Sequence, residues 1–201
     1  MASNASASEM VLVKAWQGYL GKLDSSPLLT KSISAAVLSI VSSLVGKSIA
    51  KEKIKPKSII DEFCVGLILR GPLVHWFHTF LDKVVFRRAN QKNKIVVIAK
   101  VLLDQLLFAP IFISLYFYLS GIMSEKKISD ISKSIKKDLW GVMKGNWGVW
   151  VPANVIGYGL IPLNLRVLWG NIINIFWTAY LITKVNKKST VKAGQDNGQV
   201  S

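Results

Sequence analysis

Gly71, His75, His78 and Asp82 follow one another at steps of four, three and four, a spacing that sets two imidazoles and a carboxylate along one stripe of a helix. Leu69, Leu73, Trp76, Phe77, Phe80 and Leu81 cover much of the remaining surface. Such groups could hold a metal, activate a nucleophile or pair with cations. The first use fails for want of ligands: the two histidines lack a His-Glu-x-x-His spacing and a converging carboxylate pair, and Cys64 is the only cysteine. The second fails because no nucleophile elbow is present. Gly46-Lys47-Ser48 ends like a phosphate loop, but Val41 stands where the upstream glycine is required, in an apolar helical segment. The reading is therefore of a chain that is not an enzyme, without catalytic, metal or cofactor residues.

What remains is a set of polar side chains in apolar surroundings. Arg70, His75, His78, Asp82, Asp104, Gln105, Asn154 and Arg166 are its candidate members. A charge near the centre of a bilayer costs at least about 2.5 kcal/mol, so such residues face a bundle interior, an aqueous path or each other. Two readings stay open: the groups pair to fix helix register, or they line a path that selects small anionic solutes.

The elements that position them are read from hydropathy. Gln105 to Ser124 is a run of twenty residues without a formal charge, and at about 1.5 Å per residue it covers a hydrocarbon core of roughly 30 Å. The expected architecture is an all-α, multi-pass transmembrane bundle of about four spans, 28–49, 59–81, 101–123 and 163–184, within one membrane-embedded domain, 11–186. Ser34, Ser39, Ser42 and Ser43 give the first span small residues for close helix approach. In Lys127–Lys144, the residues Ile128, Ile131, Ile135, Leu139 and Val142 share one face and Lys133, Lys136 and Lys137 lie elsewhere, which predicts an amphipathic helix in the interface. Residues 145–162 read as an apolar segment broken by Gly148, Pro152, Gly157, Gly159 and Pro162. Residues 1–10 form a polar tail without the features of a secretory signal or mitochondrial presequence, and 187–201 a polar tail expected to be disordered.

Composition agrees: 51% of residues are hydrophobic and 18% charged, yet the net charge is +15. The cations sit in short blocks between apolar runs, which suits anionic lipid headgroups better than nucleic acid. Membrane lipids, small anionic solutes and a second copy of the chain are the partners considered; nucleic acid is not one. With four spans, thirteen Lys and Arg fall on the amino-terminal side and eleven opposite, too small a bias to fix orientation.

A set of spaced residues extends from Trp16 to Leu181: Trp16-x-x-Tyr19-Leu20 with Pro27; Gly71-Pro72-x-x-His75 followed by Leu81-Asp82; Lys100-x-x-x-Asp104-Gln105 with Pro110; Trp147-x-x-Trp150, Tyr158, Ile161-Pro162, Arg166 and Trp177-x-x-Tyr180-Leu181. In these the chain resembles the twenty-two-kilodalton peroxisomal membrane proteins and their mitochondrial inner-membrane relatives, the Mpv-seventeen family. The resemblance implies four membrane-spanning helices, no known catalytic activity, and a pore or solute-permeability role. It also implies the peroxisomal membrane, with the mitochondrial inner membrane as the alternative; Asn146-Trp147-x-x-Trp150-x-Pro152 looks like the peroxisomal subgroup's spacing. The chain departs from the pattern at four positions. Ser43 and Lys47 stand where many members have Asp and Gln, Asn154 replaces a common Gln, and Gly157 a common Asn.

Overall fold

A hydroxyl or a proline inside an apolar helix needs a local remedy, and these remedies shape the rods of this protein. The computed structural model describes residues 7–179. Helix α1 (Ala7–Ser25) leads into α2 (Pro27–Ile49), which starts with Pro27 in its first turn, where the missing N–H is not needed. Along α2 the hydroxyls of Ser34, Ser39 and Ser42 donate to the carbonyls of Thr30, Ala35 and Leu38, four residues back. None of these three hydroxyls has to seek water.

The second rod joins α3 (Pro56–Cys64), a π-helical stretch Val65–Arg70, α4 (Gly71–Phe80) and a second π-helical stretch Leu81–Val85. The third joins α5 (Lys94–Leu103), the π-helical stretch Asp104–Phe108 and α6 (Ala109–Met123). Pro72 and Pro110 explain two of the wide turns. Each lacks an N–H and crowds the carbonyl four residues earlier, and the turn before it opens so that Gly71 and Ala109 bond to Gly66 and Asp104, five residues back. Arg70, Asp82, Asp104 and Gln105 all lie in such turns. Helix α7 (Ile128–Gly159) and a last helix, α8 (166–179), complete the fold.

Contacts fix the directions. Lys31 of α2 meets His75, and farther along Ser39 meets Arg70, so α2 and the second rod are antiparallel. Tyr118 meets Ser132, while Asp104 meets Asn154 and Tyr158, so the third rod and α7 are antiparallel as well. Arg166 begins α8 beside Asp82, and Asn174 reaches Ser42. Helix α8 therefore runs parallel to α2.

The all-α, multi-pass reading describes this bundle, with two of the expected segments drawn differently. The segment 145–162 is broken only at its end: α7 runs through Gly148, Pro152 and Gly157 and stops at Gly159, ahead of Pro162, and it is one helix with the stretch expected to lie in the interface. At 32 residues it is about 48 Å long, enough to traverse the bundle. Among the described residues its passage makes five rods, and turns α8 parallel to α2 where four alternating spans would make it antiparallel. Residues 7–10 of the expected polar tail form the first turn of α1, and residues 1–6 lie outside the described residues. Residues 180–186 and the tail 187–201 lie outside the described residues, as does Tyr180.

Among the described residues, α2 and the rod Lys94–Met123 are long and apolar enough to cross a membrane. In the second rod Arg70, His75 and His78 dilute the apolar character. The surface carries the stronger message. Ile33, Val37, Val41 and Val45 on α2, Ile68, Trp76 and Phe80 on the second rod, and Leu102, Leu106, Ile111 and Leu115 on the third all point outward. Lys31, Ser32, Ser39, Ser42, Ser43, Asn146, Asn171 and Asn174 are buried. Apolar outside and polar inside is the arrangement that lipid, not water, favours. Close approach of α2 and the second rod depends on Gly66 and Gly71, where a Cβ would overlap the backbones of Ala36 and Ser32.

Candidate functional site

At one end of the bundle, an ion cluster ties three rods together. The Asp82 carboxylate accepts from Lys100 and, at 2.7 Å, from Nη1 of Arg166. Lys100, fully enclosed, also donates to the side-chain carbonyl of Gln91, and its ammonium lies 5.6 Å and 5.8 Å from the ring centroids of Phe86 and Tyr158. Arg166 Nε donates to the carbonyls of Gly157 at 3.1 Å and Ile161 at 3.0 Å. A buried charge is tolerated only with such complete pairing.

One turn inward lies a second knot. Asp104 accepts from Tyr158 Oη at 2.7 Å, Asn154 Nδ2 at 2.8 Å and Gln105 Nε2 at 2.7 Å. Gln105 in turn accepts from Asn146 Nδ2 at 3.0 Å, and its backbone carbonyl from Trp147 Nε1 at 3.4 Å. These bonds hold the third rod to α7. On α2, the Lys31 ammonium sits 3.1 Å from Nδ1 of His75, and Arg70 donates to Ser39 Oγ.

A cavity of about 540 Å³ lies between the rods. Arg166, Tyr158, Asp104 and His78 line its inner end beside the ion cluster, and Lys47, Glu52, Glu62 and Arg70 line the opposite end. Apolar and aromatic walls, Phe112 and Trp150 among them, make up much of the rest.

The helical stripe expected to face one path is thus divided. Of its four members only His78 lines the cavity. Gly71 packs on Ser32, His75 pairs with Lys31, and Asp82 belongs to the ion cluster. Arg70, Asp104, Gln105, Asn154 and Arg166 do line it. Sequence reasoning missed Asn171 and Asn174, both buried and both lining the cavity. The available signal was the step of three and four in Asn171, Asn174 and Thr178, a polar stripe on an otherwise apolar helix. Lys31 was missed because it reads as a flanking cation, although it is 3% exposed.

The spaced motif residues take diverse positions. Trp16 stacks on Tyr19 with centroids 5.6 Å apart. Trp150 and Trp177 line the cavity, Pro152 lies on the exposed side of α7, and Pro162 starts the turn that Leu165 closes. All four positions at which the chain departs from the pattern, Ser43, Lys47, Asn154 and Gly157, line the cavity.

Comparison with known proteins bears on these features. The sequence profile of the Mpv17 / PMP22 family matches residues 121–182. The chain is 37% identical over 171 residues to PXMP2/4 family protein 3 of Dictyostelium discoideum, covering 85% of this chain and 90% of that protein. It is 29% identical to peroxisomal membrane protein 2 of Bos taurus, over 84% and 88% of the two chains. With Protein SYM1 of Gibberella zeae it shares 32% identity over 81% and 93%. No solved structure matches.

Proposed function

The chain belongs to the Mpv17 / PMP22 family of membrane proteins, and from that premise we propose that it is a pore-like, non-catalytic protein that affects the passage of small solutes, anions among them. Its membrane is the peroxisomal one, with the mitochondrial inner membrane as the alternative; the naming of the bovine relative supports the first. One observation carries the pore reading: polar side chains from every rod converge on a cavity inside a bundle whose outer surface is apolar. Ser43 and Lys47, in place of the Asp and Gln that the resemblance leads one to expect, make that cavity more positive. This supports passage of anions.

Purified protein in liposomes tests the reading. Solute flux or conductance above that of empty vesicles is expected; none at all removes it.

A second reading, a scaffold that grips anionic lipid, is favoured by the first half of α7. Lys133, Lys136 and Lys137 are exposed there, beside Trp140, over whose ring the Lys144 ammonium lies 5.8 Å from the centroid. Replacing the three exposed lysines by Gln separates the two. The scaffold reading expects lost lipid binding with any flux intact, and the pore reading expects flux to be the activity that matters.

A further inference from the structure

Two buried nitrogen atoms among the described residues have no hydrogen-bond partner: Nδ1 of His78 and Nδ2 of Asn171. The residues are 8% and 2% exposed, and both line the cavity. These are the only fully enclosed side-chain nitrogen or oxygen atoms without a partner among the described residues, and bare nitrogens on one cavity wall point to a ligand group that satisfies them.

Their placement can be derived from the ion cluster. His78 precedes Asp82 by four residues, Asp104 follows Lys100 by four, and Asn171 follows Arg166 by five. At about 1.5 Å per residue, all three lie roughly 6–8 Å inward from the cluster, in one layer at the inner end of the cavity. Asp104 already accepts three hydrogen bonds in that layer, from Tyr158, Asn154 and Gln105. Asn171 offers an amide donor that Asp104 does not take.

Charge decides what the ligand is. In this half of the bundle the buried cations are Lys31, Lys100 and Arg166, and the carboxylates are Asp82 and Asp104. One positive charge is left over. Lys31 has the His75 ring as its hydrogen-bond partner, and no ion pair is found for it among the described residues. On the cavity wall itself the charges balance, Lys47, Arg70 and Arg166 against Glu52, Glu62 and Asp104; the excess is Lys31, which lies behind the wall on His75 in this half of the bundle and acts on the inner end through its field. A single negative charge at the inner end balances the buried charge of this half of the bundle. The walls are largely apolar and aromatic, and about 540 Å³ falls within the roughly 300–1,000 Å³ of small-molecule sites.

We propose that the inner end of the cavity binds the carboxylate of a small monoanionic acid with an apolar body, Asn171 and His78 donating to the carboxylate and the body lying along the aromatic wall. The proposal rests on the same cavity as the solute-path reading and names the solute class it prefers.

The test uses the full chain in nanodiscs of uncharged lipid, with hexanoate and the neutral hexanamide as probes. Trp150, Trp169 and Trp177 line the cavity and report occupancy by fluorescence. Saturable binding of hexanoate is expected, with hexanamide at least tenfold weaker. Asn171→Leu should weaken hexanoate at least tenfold. If that variant does not fold, Asn171→Asp serves, because it keeps the size, supplies the missing negative charge from the protein, and should abolish hexanoate binding. Equal affinity for the two probes, no saturation with either, or wild-type affinity in Asn171→Asp would overturn the site. Liposome flux separates this from the wider reading: saturable, charge-selective binding without flux leaves the site and removes the path, whereas flux without charge-selective binding removes the site and leaves the path.

Discussion

The ion cluster at one end of the bundle and the cavity wall beside it are built from the same kinds of residue and treated in opposite ways. Around Asp82, Lys100 and Arg166 the charges and their polar neighbours are all engaged, and the bonds cross from rod to rod. One turn inward, His78 and Asn171 each hold a nitrogen without a partner. Complete pairing marks groups whose task is to hold helices in register; incomplete pairing marks groups left for something that comes and goes. The pairing reading open at the level of sequence describes the first layer, and the layer a few ångströms inward is where we propose the solute path.

The largest effect should follow from breaking the paired layer. Asp82→Ala leaves Lys100 and Arg166 as buried cations without their carboxylate, a change that costs about 3–5 kcal/mol. Folded yield in detergent and the thermal midpoint should both drop sharply. Replacing the three together, as Asp82→Leu, Lys100→Met and Arg166→Met, should restore much of the loss, since removing all charges leaves none unpaired. If the single variant is as stable as the parent, the cluster does not hold the rods. A smaller loss is expected at the α2 contact. Gly66→Ala puts a Cβ into the Ala36 backbone, and overpacking of this kind costs about 1–3 kcal/mol. It should lower the thermal midpoint while leaving the ion preference of any residual flux unchanged.

Much of the fold was legible in the sequence because lipid imposes one rule on every helix: long apolar runs separated by charged loops. The rods from 28, 59 and 101 follow directly from that rule. It failed at 145–162, where Gly148 and Pro152 were read as breaks; packing against the third rod and α8 keeps α7 helical, through Asn154 to Asp104 and Trp169 Nε1 to the Ala153 carbonyl at 2.9 Å. The site was harder. Spacing showed that Gly71, His75, His78 and Asp82 share a stripe, yet a stripe in the middle of a bundle meets several neighbours at once. Which residue meets which rod depends on the wide turns at Val65–Arg70 and Leu81–Val85, whose extra residue per turn rotates everything beyond them. Lys31 could not be recognised as buried, because the depth of a flanking lysine is set by α1 and the second rod together.

The smallest effect, and the sharpest on the cavity side, should come from charge alone. Ser43 and Lys47 both line the cavity, and Lys47 also donates to Ser58 Oγ. The double change Ser43→Asp and Lys47→Gln adds one negative charge and removes one positive, lowering the net charge by two, while Gln keeps a donor for Ser58. At about 10 Å through water, each unit is worth about 0.4 kcal/mol to a monovalent solute, so the pair is worth about 0.8 kcal/mol. That corresponds to a fall of roughly fourfold in anion passage relative to a neutral solute of the same size, and salt should reduce the difference. The thermal midpoint should fall as well, because Ser43 is buried and an aspartate there is a buried charge, so the flux ratio is read on the folded fraction. Unchanged anion-to-neutral flux ratios would mean that solutes do not travel past this wall.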